Sequence, residues 1–275
     1  MYLNMKFKLF FYFSLILLSI NLGFSQIEVN HKDWECEFIS RSVNGTFLLL
    51  DYKTKQLHLV STSHKDSLVT PLETFHFYEM LIGLESGILK DTLHLFEHLT
   101  SPLKAENSDE NLSEAFFAQS PFAFKSLAYS IGEIKLNAWL SLLHYGNTTI
   151  NNKGSFWMDG TLKISPIQQL DLLKRMHMFN LPFSLENIAF AKKLFQSKKM
   201  KGVQLNFFAT NTSKSKSAAS WFLGILTIQK QTYYFVSFIE MDPDKKYNLD
   251  QLNKDIVRQL LFRLQVIDET FCERF

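Results

Sequence analysis

Hydrophobic and polar residues follow two different periods along this chain, and the changes of period predict where strands give way to helices. Two β-rich runs within residues 47–62 flank a polar turn at 52–55, which predicts a hairpin. Apolar residues spaced three and four apart then predict a helix over 73–90. Two more apolar runs, at 221–228 and 232–241, predict a second pair of strands around a short polar turn.

Helical spacing dominates the middle of the chain and its C-terminal end. The further predicted helices cover residues 112–132, 136–146, 164–183 and 250–267, with polar loops at 101–111 and 209–220. Pro121 breaks the first of these helices, because proline lacks the amide hydrogen that a helix interior needs. Gly146 is a natural end for the second. Ser165 and Pro166 give the third a cap and a first-turn proline.

This order of elements predicts an α+β fold in which strands from both ends of the chain share one sheet. We expect an antiparallel sheet flanked by N- and C-terminal helices, with the central helices inserted as a lobe. The chain has 275 residues, of which 46% are hydrophobic and 20% charged. That is enough for one large domain with a sizeable core.

The N-terminal segment has a different character. Lys6 and Lys8 precede the apolar run LFFYFSLILLSINLGF, and small residues stand at Gly23 and Ser25. This pattern is typical of a secretory signal peptide. We therefore expect cleavage after Ser25, export to the periplasm or the medium, and one mature domain over 26–275. A retained membrane anchor is the alternative, although the apolar run is shorter than the ~20 residues that a spanning helix needs.

The balance of charge excludes one large class of partners. Removal of residues 1–25 takes away two lysines and leaves 27 basic and 27 acidic residues. A neutral chain lacks the basic face that binding to nucleic acid requires. We expect no nucleic-acid partner and no membrane partner after signal cleavage. The two cysteines, Cys36 and Cys272, can form a disulfide in an exported protein or remain separate thiols.

Five segments, in order along the chain, resemble the class D β-lactamases (oxacillinases), within the wider fold of penicillin-binding serine transpeptidases. They are VNGTFLLLDYKTKQ (43–56), LIGLESGILKD (81–91), YGN (145–147), SFWMDGTLKISPIQQLDLLKRMHMFNLPFS (155–184) and WFLGILT (221–227). Each motif alone is weak, but their order and spacing match the family over most of the chain. The resemblance implies the family's fold, with Trp157 as its buried tryptophan.

The resemblance also implies where the family's reacting residues stand. Class D enzymes use a serine nucleophile and a carbamylated lysine base in S-x-x-K, a proton-relaying serine in S-x-V, and a K-T/S-G strand that holds the substrate carboxylate. In this chain the first motif is PLETFH (71–76), with Glu73 at the nucleophile position and His76 at the base position. QSP (119–121) stands at S-x-V, and FAT (208–210) stands at K-T/S-G.

All three motifs have lost their reacting side chains, while the packing residues around them are kept. The predicted cleft residues are Glu73, His76, Gln119, Ser120, Trp157, Phe208, Ala209 and Thr210. A glutamate replaces the serine poorly, because its carboxylate is a weak nucleophile and its acyl adduct would be a reactive anhydride. We expect an exported, catalytically inactive relative that needs no cofactor. It would bind or sense a ligand such as a β-lactam or a peptidoglycan-like peptide.

Two active alternatives remain open from the sequence. One is a working β-lactamase or penicillin-binding enzyme with a rearranged site. Ser120 reaches the cleft only in a shifted register, where it would lack a lysine base. The other alternative is a hydrolase with new chemistry at Glu73 and His76, which stand one helical turn apart. For these two side chains, a mutual hydrogen bond within a half-buried cleft is the simpler interpretation. An acid–base or metal-binding pair is the alternative to it.

The other histidines are expected to be structural or solvated. His94 and His98 have the spacing of two metal ligands on a helix. No glutamate follows His94 directly, so the pattern is not H-E-x-x-H, and we expect a solvated helix face and no metal. His144 is expected to be structural.

The resemblance bears on the two cysteines as well. In the family's fold the N-terminal strand and the C-terminal helix lie side by side on one sheet. The resemblance therefore implies a Cys36–Cys272 disulfide that closes nearly the whole mature chain into one loop.

Overall fold

Strands from both ends of the chain meet in one sheet, as the sequence predicts. The computed structural model describes residues 26–96, 110–151, 155–200, 202–210, 218–242, 244 and 248–274. The strands are β1 (Ile27–Asn30), β2 (Asn44–Asp51), β3 (Gln56–Ser61), β4 (Leu95–Phe96), β5 (Glu110–Asn111), β6 (Gln196–Met200), β7 (Val203–Ala209), β8 (Ala219–Ile228) and β9 (Gln231–Glu240). The predicted signal peptide and His98 lie outside the described residues.

Seven of the described strands form one sheet in the order β1-β3-β2-β9-β8-β7-β6, and β4 pairs with β5 separately. The predicted first hairpin joins β2 to β3, and the predicted second pair of strands is β8 and β9. Every neighbouring pair in the large sheet is antiparallel except β1 and β3, which run parallel. The α+β prediction is confirmed, with a mixed sheet in place of a wholly antiparallel one.

Helices fill the connection between β3 and β6 and close the chain. They are α1 (Cys36–Ile39), α2 (His76–Glu85), α3 (Leu112–Ala118), α4 (Pro121–Ile131), α5 (Glu133–Leu143), α6 (Pro166–His177), α7 (Leu185–Lys193), α8 (Leu249–Arg263) and α9 (Glu269–Arg274), with 3₁₀ turns at Lys32–Trp34 and Leu72–Phe75. Helices α2 to α7 form the inserted lobe. In the described part of the chain, no helix combines the length and the apolar character needed to cross a membrane.

The sheet carries an apolar core on each face. Side chains alternate between the two faces along a strand, so neighbours in β2 belong to different cores. Leu48 and Leu50 lie in the core under the helical lobe. Phe47 and Leu49 lie in the second core, which the terminal helices cover. The sheet therefore holds the lobe and the two chain ends on opposite sides.

Local sequence signals set most of the helix ends. Ser120 caps α4 through its side chain, directly before Pro121. Ser165 and Gln168 form a capping box at the start of α6, as Ser-Pro at this point predicts. The end of the YGN helix differs from the prediction. Helix α5 closes at His144, whose backbone is left-handed (φ 57°), two residues before Gly146.

Strand β6 has no counterpart in the sequence prediction, whereas β7 ends at the K-T/S-G strand position that the family resemblance implies for 208–210. β6 lies at the edge of the sheet and carries Lys198 and Lys199, so it lacks an alternating apolar pattern. β7 pairs with β8 along its whole length, with Phe207 opposite Gly224. A Cβ atom at Gly224 would stand 2.2 Å from the ring of Phe235, so this position requires glycine.

The two chain ends lie together, but the expected disulfide is absent. Arg263 near the end of α8 forms an ion pair with Glu37 of α1. Cys36 and Cys272 are nevertheless free thiols. Cys36 begins a short helix, with its exposed thiol directed at the carbonyl of Asp33 (3.4 Å). Cys272 packs partly against the second core. The predicted bridge is therefore wrong, because the first thiol faces away from this core.

Candidate active site

The chain enters α2 through a strained turn. Leu72 has a left-handed backbone (φ 53°), which a leucine rarely adopts. Its amide donates a hydrogen bond to the carbonyl of Trp157 at 3.1 Å, and its side chain is fully buried. Such strain costs about 1–3 kcal/mol and persists only where the surroundings hold it. The turn fixes the direction in which the next side chains point.

Glu73 lies in this turn with 6% of its surface exposed. Its Oε2 atom is buried and has no hydrogen-bond partner. Burial raises the pKa of Glu73 to about 7, a hydrogen bond from its own backbone opposes the rise, and the charge of Asp250 adds to it. About half of the Glu73 carboxyl groups are therefore protonated at neutral pH, in contrast to an ordinary glutamate, which is ionised there.

His76 is the first residue of α2 and is sealed between aromatic rings. Its imidazole lies flat against Phe124, with centroids 3.6 Å apart and an interplanar angle of 4°. The ring of Trp157 meets it at 5.4 Å and 76°. Neither ring nitrogen has a hydrogen-bond partner. Burial lowers the pKa of His76 to about 3, so the ring is neutral.

The hydrogen bond expected between Glu73 and His76 is not formed. Both nitrogens of His76 are without a partner, and so is Oε2 of Glu73. The imidazole instead uses its flat face to stack on Phe124. The simpler interpretation of this pair is therefore wrong: burial, and not mutual hydrogen bonding, raises the pKa of Glu73 and keeps His76 neutral.

Glu79, one helical turn after His76, is a third buried titratable side chain, and we call Glu73, His76 and Glu79 the buried row. Sequence reasoning missed Glu79. Its side chain is fully buried, and neither carboxyl oxygen has a hydrogen-bond partner. Burial raises the pKa of Glu79 well above its ordinary value. The signal was present in the sequence: Glu79 follows His76 by three residues, on a helix whose other residues around it are apolar.

At the S-x-V position, Gln119 and Ser120 both make hydrogen bonds that hold the surrounding structure. Gln119 ends α3 in a left-handed conformation (φ 50°) and is buried. Its side-chain amide donates a hydrogen bond to the carbonyl of Ala209 at 3.0 Å. Ser120 accepts a hydrogen bond from the amide of Ala123 as the cap of α4, and it also bonds to Glu110. Both residues therefore fix the ends of helices.

At the K-T/S-G position, at the end of β7, the side chains make packing contacts and a hydrogen bond within the protein. Phe208 contacts Phe77 and Phe116 edge-on or tilted, with centroids 5.0 and 5.4 Å away. Thr210 is 2% exposed, and its hydroxyl accepts a hydrogen bond from the amide of Trp221 at 3.0 Å. The end of β7 thus presents apolar rings and a paired hydroxyl, and no lysine stands at residues 208–210.

The two tryptophans predicted to line the core and the cleft are both buried. Trp157 packs against Phe75 at 6.1 Å as well as against His76. Trp221 donates a hydrogen bond from Nε1 to the carbonyl of Thr70 at 2.9 Å. These contacts join the loop after α5 and strand β8 to the turn that carries Glu73.

The structure brings the predicted cleft residues together in part. His76 contacts Trp157, and Gln119 bonds to Ala209, whereas Ser120 is committed to a helix cap. The metal-binding alternative finds no support, since no group of three or more His, Cys, Asp or Glu side chains in the described ranges could hold an ion. His94 precedes the short strand β4 instead of lying on a helix.

The family's acyl-transfer chemistry sets a geometric requirement with which this buried row can be compared. Such chemistry needs a nucleophile and a base within hydrogen-bond reach of each other. Glu73 and His76 make no such bond. An imidazole with a pKa of about 3 is also a weak base at neutral pH. The row instead places three titratable side chains inside apolar packing.

A comparison with known protein families accounts for this geometry. Residues 45–203 match the model described as the penicillin binding protein transpeptidase domain. The match covers more than half of the chain, and the chain belongs to this family.

Its relatives include proteins named as β-lactamases and a protein named as regulatory. The chain is 28% identical over 215 residues to "Regulatory protein BlaR1" of Bacillus licheniformis, a match that covers 77% of this chain and 36% of the relative. It is 27% identical over 220 residues to "Beta-lactamase OXA-5" of Pseudomonas aeruginosa, covering 78% and 82%. The chain thus spans about a third of the regulator's length and most of the β-lactamase's.

Solved structures show the same fold. The class D β-lactamase FUS-1 (OXA-85) from Fusobacterium nucleatum subsp. polymorphum superposes with a TM-score of 0.74 at 25% identity, over 87% of this chain and all of that one. The C-terminal domain of the Bacillus licheniformis BlaR penicillin-receptor gives a TM-score of 0.74 at 24% identity, covering 89% and 99%. The predicted fold and family resemblance are therefore confirmed.

Proposed function

We propose that this protein is a non-acylating member of the penicillin-binding transpeptidase family that acts by binding or sensing and not by catalysis. The observation that carries the proposal is the environment of His76. At the position of the family's base, a neutral imidazole is stacked on Phe124 at 3.6 Å with both nitrogens buried and unpartnered. A base must reach a proton to act on it.

The nucleophile position supports the same proposal. Glu73 is buried, and its pKa of about 7 leaves about half of the carboxyl groups protonated at neutral pH. A protonated carboxyl group is a poor nucleophile, and its acyl product would be an anhydride that water hydrolyses readily. An active enzyme with a rearranged site would need another nucleophile, and Ser120 is held in a helix cap.

A role in binding is consistent with the relatives. One carries the name of a regulatory protein, and one of the solved structures with the same fold is described as a penicillin-receptor domain. By analogy, the ligand class is a β-lactam or a peptidoglycan-like peptide held without a covalent bond. Fold-level analogy alone supports this ligand class.

Export is proposed from the sequence of residues 1–25, which has a basic start, an apolar core and a small-residue end. A mature domain beginning at Gln26 would then function outside the cytoplasm, where peptidoglycan-like ligands are found. The relatives named as β-lactamases are consistent with this location.

Covalent labelling tests the proposal directly. The protein is incubated with a fluorescent penicillin and analysed by denaturing electrophoresis and intact mass, beside an active class D β-lactamase as a positive control. We expect no adduct on this protein. A stable adduct on any residue would overturn the proposal in favour of an active, rearranged site.

A serine variant and a binding measurement complete the labelling experiment. If an adduct forms, a Ser120→Ala variant shows whether the serine beside the displaced motif carries it. Non-covalent binding is measured separately, as a shift of the thermal midpoint with added penicillin or a peptidoglycan stem peptide. A shift without an adduct identifies a binding protein of this ligand class. No shift with either ligand removes that class and leaves the non-acylating assignment in place.

A further inference from the structure

The N-terminal strand β1 is held to the sheet by few contacts. It has four residues, is mostly exposed, and pairs only with β3, in the parallel direction. The amide of Ile27 donates to the carbonyl of Lys55 at 3.1 Å, and that of His31 donates to Leu59 at 2.9 Å. A short edge strand with little burial opens easily. The side chains at its end therefore decide whether it stays docked.

The end of β1 is fastened by two histidines. Nε2 of His31 lies 3.0 Å from Nδ1 of His58 on β3. The other neighbour of the His31 ring is Trp34, stacked at 4.1 Å with an interplanar angle of 10°. Such an N–H···N bond needs one ring nitrogen with a hydrogen and one with a lone pair. The bond therefore exists only while at least one of the two rings is neutral.

Several charged groups surround this pair. Lys32 follows His31 in the chain, and the Arg263 guanidinium of α8 lies 5.9 Å from the Trp34 ring. On the side of His58, Asp51 of β2 is the nearest acidic group that acts on it. Tyr233 of β9 also feels the charge of Asp51.

The rest of β1 carries its own ion pair. Glu28 meets Lys65, from the loop after β3, at 3.1 Å. This ion pair contains no histidine and holds β1 separately from the His31–His58 contact.

The balance of these effects keeps both rings neutral while β1 is docked. Burial lowers the pKa of His31. Burial also lowers the pKa of His58, the neighbouring His31 lowers it further, and Asp51 opposes the change. A histidine in a released strand would return to an ordinary pKa of about 6.5.

We propose that the His31–His58 pair is a pH-sensitive latch that holds β1 on the edge of the sheet at neutral pH and releases it in mild acid. The released state binds more protons than the docked state once the pH falls below about 6.5, so docking weakens as the pH falls further. At about pH 5, each histidine that protonates only on release favours the released state by about tenfold or more.

Hydrogen exchange of the β1 amides tests the latch. The protein, without a histidine tag, is exchanged at about pH 7.5 and about pH 5, and rates are corrected for the intrinsic effect of pH. For the peptide that covers residues 26–31, we expect lower protection in acid than at neutral pH. Peptides from β8 and β9 report whether the rest of the sheet stays folded.

Substitutions separate the latch from a general effect of acid. His31→Phe keeps a ring against Trp34 but removes one of the two titrating rings, so we expect a smaller acid response of β1 protection than in the wild type. His58→Gln is the second variant, in case the first does not dock β1. His94→Gln, in the helical lobe, should keep the full response of the wild type. Equal protection of wild-type β1 at both pH values, or an undiminished acid response in both latch variants, would overturn the proposal.

Discussion

The imidazole of His76 lies flat on the ring of Phe124, 3.6 Å between centroids and 4° from parallel. At the position of the family's lysine base, this contact excludes water from both ring nitrogens. An ammonium group placed there would lose its hydration without gaining a partner, and burial would lower its pKa. Packing, and not only the identity of one residue, therefore separates this site from an active one.

Nitrocefin turnover should be absent in the wild type and should not return in Glu73→Ser/His76→Lys. The double variant supplies the serine and the lysine of S-x-x-K but leaves the residues at 119 and 208–210 unchanged. Loss of a single oxyanion-stabilising donor alone costs about 3–4 kcal/mol of transition-state stabilisation. Absorbance of hydrolysed nitrocefin measures the rate, and circular dichroism verifies folding. Family-level rates in the double variant would show that the rest of the site is intact.

Glu73→Gln should remove a pH-dependent loss of stability. Burial raises the pKa of Glu73 to about 7 in the folded protein. Between its unfolded pKa and this value, the unfolded chain releases a proton that the folded chain keeps, so the free energy of unfolding falls as the pH rises. The loss amounts to about 3 kcal/mol and is complete above about pH 7.

Urea unfolding at about pH 4.5 and about pH 8 measures this loss. The glutamine variant should gain stability relative to the wild type at the higher pH and little at the lower one. Glu186→Gln, on the exposed first turn of α7, is the matched control and should follow the wild type. An equal gain at both pH values would contradict the assignment to Glu73.

Glu79→Met should stabilise the protein. The carboxyl group of Glu79 is fully buried with both oxygens unpartnered, and an apolar side chain of similar size avoids the desolvation of about 1–3 kcal/mol. Urea unfolding measures the change.

Glu85→Met, on the same helix, is the opposite control. The carboxylate of Glu85 accepts hydrogen bonds from the amide of Ser184 and from the side chain of Asn187. Its loss should destabilise the protein by about 1 kcal/mol. Destabilisation by both substitutions would mean that Glu79 has a partner after all.

Gly146→Ala should be severely destabilising. The backbone of Gly146 is left-handed (φ 52°), and a Cβ atom would lie 1.6 Å from the carbonyl oxygen of Lys163. The chain must move to relieve this contact, so we expect a cost above about 3 kcal/mol. At Gly87, also left-handed (φ 68°), a Cβ atom meets nothing within 4 Å. Gly87→Ala should cost only about 1 kcal/mol. Comparable thermal midpoints for the two variants would refute the steric explanation.

Export should leave Gln26 as the first residue. The prediction rests on the signal-peptide pattern of residues 1–25. Intact mass of material from the periplasm or the medium decides it, allowing for cyclisation of the N-terminal glutamine. Recovery of a full-length, membrane-bound chain would show a retained anchor instead.

The fold was predictable where local signals and tertiary packing agree. The hairpin of β2 and β3 and the cap at Ser165 follow from patterns that need no distant partner. β6 was missed because it is a lysine-bearing edge strand. Only the end of β7 was implied, by the family resemblance at 208–210, because this strand draws its stability from pairing with β8. The parallel pairing of β1 depends on a contact between distant segments, which periodicity cannot reveal.

The site was predictable in position but not in its interactions. The family resemblance placed Glu73 and His76 at the entrance of α2. It did not reveal that His76 stacks on the ring of Phe124, which lies 48 residues further along the chain. The free state of Cys36 likewise depends on the direction of one short helix. Long-range packing of this kind leaves no trace in a single sequence.

The hydrogen bond from Gln119 to the carbonyl of Ala209 bears on evolution. A single mutation that returned serine to position 119 would shorten the side chain and leave a carbonyl without this donor, at a cost of about 1–3 kcal/mol. Lysine at position 76 would meet Phe124 at the same time. Serine at position 119 and lysine at position 76 would thus each lower the stability of this chain, so the packing around the site opposes the residues that the family's motifs carry at these positions.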